Sequence, residues 1–144
     1  MQIIANNPAL RSWVAVAADS EFPIQNLPFG IFQTATSPKR VGVRIGDFVL
    51  DLSQMAQFAY FADLSFAATD FNQDFLNPMM RHGKLATRAL RNRIAELLSI
   101  ENTTFQHNSS QHQALIPVAE VTMSLPVQIG DYTDFYSSKE HATN

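Results

Sequence analysis

The stretch "RVGVRIGDFVLDL", residues 40–52, carries the strongest structural signal in the chain. Val41, Val43 and Ile45 alternate with Gly42, Arg44 and Gly46. Successive side chains of a strand point to opposite faces, so one apolar face is expected to be buried and the other to be bare or polar. Gly46-Asp47 separates this run from "FVLDL", and a Gly-Asp pair between two apolar runs predicts a hairpin. Short strands joined by tight turns predict a small, mainly β barrel or sandwich.

Upstream, "TSPK" (36–39) predicts a turn, and Gly30–Ala35 a strand leading into it. Residues 19–29 hold Pro23 and Pro28, which cannot donate to a ladder, so an irregular or edge segment is expected. "RSWVAVA" (11–17) is a short apolar run that predicts a buried strand. Downstream, Ser53 is placed to cap a helix running to about Phe61, with helical turns over 62–76. Asn77-Pro78 has the pattern of an N-cap followed by Pro at the first helical position. Leu90, Ile94, Leu97 and Leu98 recur at three- and four-residue spacing and predict an amphipathic helix over 84–99. The polar 101–113 stretch is expected to be a mobile loop, and 114–128 to be extended between Pro117 and Pro126. Composition shifts near Leu125, which divides the chain into a domain over 1–125 and a second segment over 126–144.

Length and composition bound the function. A chain of 144 residues, 46% hydrophobic and 16% charged, can bury a core and is globular rather than disordered. A formal charge of −3 argues against nucleic acid as a partner. With no cysteine, disulfides and thiolate metal sites are excluded. No apolar run approaches the roughly 20 residues of a membrane helix, and the N-terminus lacks the basic-then-apolar pattern of a signal peptide. No membrane partner and a cytoplasmic location are expected.

Several candidate sites give way to plainer readings. Lys84, Arg88 and Arg91 make a basic stripe that could face phosphate, but the remaining surface is acidic and a solvated helix face accounts for it. His107 and His112 share the polar loop without a carboxylate cluster at ligand spacing. The two glycines of "GVRIGD" lie inside strands with no helix following, so a dinucleotide loop fails on context.

The last residues, "DYTDFYSSKEHATN" (131–144), differ. Extended backbone would send Asp134 and Tyr136 to one side. Ser137 and Glu140 match a capping box, which makes Tyr136 and His141 the two positions whose side chains meet across a helix start. A hard-cation ligand, a phenol and an imidazole would then converge, with the helix dipole disfavouring imidazolium. An ordinary capped helix on a surface turn fits the same spacing.

This tail resembles the signature of the fumarylacetoacetase family, hydrolases that end tyrosine and phenylalanine breakdown. "DSEFPIQNLPFGIF" (19–32) and "VGVRIGDFVLDLS" (41–53) resemble that family's small N-terminal domain. The likeness spans about residues 13–144 and is weakest over 57–113. It implies an SH3-like β-barrel with accessory helices (α+β, mainly β) up to about residue 125, then the start of a catalytic domain. It also implies that Asp134 is a metal ligand for calcium or magnesium, Tyr136 a substrate-binding residue and His141 the general base. The implied substrate is 4-fumarylacetoacetate, cleaved at a carbon–carbon bond to fumarate and acetoacetate, and the full-length enzyme is expected to be a homodimer. The family's other metal ligands lie downstream of this motif, so the sequence is expected to be an N-terminal piece, inactive by itself. The alternative is a non-catalytic SH3-like binding or structural module.

Overall fold

The computed structural model describes residues 3–135 and 137–143. Five strands, β1 (Phe29–Thr34), β2 (Ser37–Ile45), β3 (Phe48–Asp51), β4 (Leu115–Pro117) and β5 (Val121–Ser124), form one antiparallel sheet in the order β4-β3-β2-β1-β5. The helices are α1 (Leu52–Gln57), α2 (Asn77–Arg81), α3 (Gly83–Leu98), α4 (Thr103–Gln106) and α5 (Lys139–Ala142). The predicted hairpin is present: Ile45 pairs with Phe48, and Gly46 turns the chain at φ +50. Glycine adopts that conformation without steric cost.

Connectivity forces the sheet to curl. β4 and β5 occupy opposite edges, four strand spacings apart, or about 19 Å if the sheet were flat. Only Val118–Glu120 joins them, as a 3-10 turn that rises about 2 Å per residue. The two edges must therefore approach, which makes the sheet a half-barrel.

Alternation along β2 sorts residues as expected. Val41, Val43 and Ile45 join Ile31, Leu50 and the α3 residues Leu90, Ile94 and Leu98 in one fully buried core. The opposite face holds Arg40, whose guanidinium Nε donates to Asp51 Oδ2 at 2.6 Å and lies 4.5 Å from the Phe32 ring centre. Asp51 Oδ1 also accepts from the backbone N–H groups of Ser53 and Gln54. The N-cap of α1 is therefore Asp51 rather than Ser53, because the carboxylate stands one residue before the helix with two orphan donors in reach. The helix stops at Gln57, four residues short of expectation, with Ala59 following at φ +62.

Four other expectations are corrected. Residues 11–17 form no strand; only Ser12 bridges, to Ser99. Their task is to close the end of α3: the Trp13 backbone N–H donates to Leu98 O and its indole to Leu97 O, carbonyls that have no donor within the helix. The first hairpin turns at Ala35-Thr36, and Ser37–Lys39 belong to β2. Pro38 is tolerated there because pairing shifts between Phe32 and Thr34, a bulge where no ladder donor is needed. Asn77 is the first residue of α2 and not its cap; its amide exchanges two hydrogen bonds with the Gln128 backbone, while the Leu76 N–H donates to Pro126 O. The 101–113 stretch is packed, not loose. Phe105 is fully buried edge-on to Trp13 and Tyr60, and His112 stacks on Trp13 at 4.9 Å.

Candidate functional site

The tail carries the residues singled out for chemistry. Gly130–Phe135 is without regular structure, and Asp131, Tyr132, Asp134 and Phe135 are all exposed. The one-turn helix α5 follows, its end bonded by the Thr143 hydroxyl to the Lys139 and Glu140 carbonyls. Tyr136 and the His141 side chain lie outside the described residues, and the predicted convergence of Asp134, Tyr136 and His141 lies outside them too. Calcium takes about six to eight oxygen ligands. Among the described residues no group of three or more His, Asp or Glu side chains is placed to hold a metal. The donor set among the described residues does not fit a complete calcium or magnesium site, and Asp134 is one ligand of the several required.

Of the basic stripe on α3, one member is engaged. The half-buried Arg91 donates to Leu27 O at 2.8 Å, and burial lowers its pKa. Arg93 makes a bidentate pair with Asp63 at 2.8 and 2.7 Å and also donates to Tyr60 O. That hydrogen-bonded pair raises the Arg93 pKa and holds the Asp63 carboxyl below its ordinary value. Arg91 ties α3 to the segment before β1, and Arg93, outside the stripe, ties it to the segment after α1; within the stripe Lys84 is exposed and Arg88 half-buried. His107 and His112 do not form a pair site, since His112 Nε2 lies 3.1 Å from the Phe105 carbonyl and its ring is stacked. His82 faces Asp70 at 2.9 Å.

One concavity escaped sequence reasoning. Gly30 and Gly42 are register partners on the face away from the core, so their bare backbones make a floor. Phe22, Val49 and Met123 wall a slot of about 220 Å³ above it. A Cβ on Gly42 would meet Val49 Cγ1 at 2.6 Å and Phe32 at 2.7 Å, and one on Gly30 would meet the end of Met123 at 2.9 Å. The available signal was two glycines in neighbouring strands, but only the register sets them opposite each other.

A curled antiparallel sheet with helices on one face and an acidic, aromatic tail defines a mixed α/β domain. The sequence model described as Fumarylacetoacetase N-terminal matches residues 25–126, which hold all five strands, and the chain belongs to that family. Its relatives carry the likeness into the tail. The chain is 46% identical over 137 residues to the fumarylacetoacetase of Dictyostelium discoideum, covering 94% of this chain and 32% of that protein. Over 135 residues it is 44% identical to the fumarylacetoacetases of Mus musculus and Homo sapiens, covering 92% of this chain and 32% of each. The chain thus spans about a third of the length of these relatives. Among the described residues no helix is long and apolar enough to cross a membrane.

Proposed function

We propose that this chain is the N-terminal third of a fumarylacetoacetase, a hydrolase that cleaves a carbon–carbon bond of 4-fumarylacetoacetate to give fumarate and acetoacetate. The observation that carries this reading is 46% identity over 137 residues to a fumarylacetoacetase, together with the family match across the whole sheet. The strand order, with a 3-10 turn between the two edge strands, supports an SH3-like barrel for the domain over 1–125. The segment from 126 onward then opens the catalytic domain. His141 takes a proton from water, the water oxygen attacks the substrate carbonyl, and the carbon–carbon bond breaks. Its electron pair leaves as the enolate of acetoacetate, which takes up the proton that His141 holds. Tyr136 orients the substrate by hydrogen bonding, and Asp134 contributes one oxygen to a calcium or magnesium site completed by other ligands. The complete enzyme is a cytoplasmic homodimer acting on a small molecule.

The test is direct. In a chimera where this chain replaces the matched third of the Dictyostelium discoideum enzyme, His141→Ala lowers kcat by about 10²–10⁴-fold and leaves KM within a few-fold. The substrate's absorbance reports turnover, and an unchanged kcat refutes the role of His141. A chimera that folds but never turns over refutes the enzymatic reading and favours a binding module.

A further inference from the structure

The exposed apolar side chains are unevenly placed. Met123, Leu125, Ile129, Tyr132 and Phe135 fall within thirteen residues at the end of the sheet and the start of the tail, each more than half exposed. Met123 forms a wall of the glycine-floored slot, so the strip begins at the slot and continues along the chain. β5, which carries Met123, pairs with β1 on one side only and leaves its other edge without a strand among the described residues. An apolar surface beside an open strand edge invites pairing and is seldom left to solvent.

We infer that this surface, the Gly30–Gly42 slot together with the β5 edge and Leu125, is the docking face for the catalytic part of a fumarylacetoacetase. The inference rests on the function proposed above and locates where the two parts meet. Three features select that occupant. Two thirds of the relatives' length lies outside the likeness, so a large polypeptide has to pack somewhere. The helix-bearing face of the sheet is already filled by α3 and cannot receive it. The strip is continuous with the segment that bears Asp134, so the surface and the candidate chemistry are reached by the same stretch of chain. In the slot an incoming apolar side chain would meet Phe22, Val49 and Met123, while the β5 edge away from β1 has no strand partner among the described residues.

The chimera described above provides the experiment, with the 144-residue chain as its reference. Hydrogen exchange of 121–125 and of β1 is compared in the two contexts, and Met123→Lys and Leu85→Lys are made in both. Lysine keeps an aliphatic stem over Gly30, so Met123→Lys leaves the melting temperature of the chain alone unchanged. In the chimera the same change buries a charge, and the melting temperature falls by about 2–4 °C or more. Leu85, exposed on α3, serves as control and shifts neither. Protection of the β5 amides rises about tenfold or more in the chimera. Equal effects of Met123→Lys in both contexts, or unchanged protection, overturn the inference. So does self-association of the chain alone that protects the same residues, since the occupant is then a second copy. A protected but inactive chimera counts against the enzymatic reading alone, and an active but unprotected one against this docking face alone.

Discussion

Ile45 and Ile129 are the same side chain in opposite circumstances: the first is 0% exposed and the second 73%. Ile45 sits on a strand whose alternation, register and neighbours all turn it toward α3. Ile129 follows the hydrogen bonds between Gln128 and Asn77 that tie the chain to α2, and among the described residues nothing beyond that point gives it a face to join. The body from β1 to Gln128 and the tail after it have similar hydrophobic side chains but unlike partners. Burial is a property of the arrangement, and the tail's apolar residues have no such arrangement among the described residues.

Paired aromatic substitutions sharpen this contrast most. Phe105 is fully buried among Trp13, Tyr60 and His112, so Phe105→Ala removes a large side chain and leaves a cavity. The expected loss in denaturant titration is about 3–5 kcal/mol. Phe135→Ala, at an exposed position of the tail, is expected to stay within about 0.5 kcal/mol. Comparable losses at both positions would mean that body and tail form one cooperative unit.

A second pair separates two sides of the buried ion pair. Asp51 accepts from the guanidinium of Arg40, two backbone N–H groups and the Gln54 side chain. Asp51→Ala strips all of these and leaves Arg40 buried without its counter-charge, at an expected cost of about 3–5 kcal/mol. Arg40→Met leaves Asp51 with three donors, so its cost is smaller. Equal costs would show that capping of α1 adds nothing to the pair.

These residues also show where the fold was readable in advance. The hairpin and its buried face follow from the period of Val41, Val43 and Ile45, because a one-residue slip would expose every one of them. The Arg40–Asp51 pair was not visible, since it depends on how β2 registers against β3. "RSWVAVA" was misread because Trp13 does its work on the carbonyls of a helix 84 residues away, which no local pattern encodes. The 101–113 stretch was misread because its polar composition hides one essential Phe105. For the candidate site the situation differs: Asp134, Tyr136 and His141 are a spaced motif in the sequence whose convergence lies outside the described residues, and the donors needed to complete a metal site are not found together among the described residues.

The smallest expected effect is a pH dependence, and it belongs to the body's surface. Asp63 is paired with Arg93 across two hydrogen bonds, and that contact depresses its pKa in the folded state. A depressed carboxyl stabilises the fold at pH above its unfolded value, near 3.9, and that contribution is lost as pH falls through the folded value. The melting temperatures of the native chain and of Asp63→Asn should therefore differ by a constant small margin from neutral pH down to about pH 5. Below about pH 4 the margin should close as Asp63 takes up its proton, because the native residue is then as neutral as its replacement. The pair is open to solvent, so high salt should narrow the margin at neutral pH as well. A margin that persists at pH 2 would show that the asparagine acts by disturbing packing near Tyr60, and that the charge of Asp63 contributes nothing to the clasp between α3 and the segment after α1.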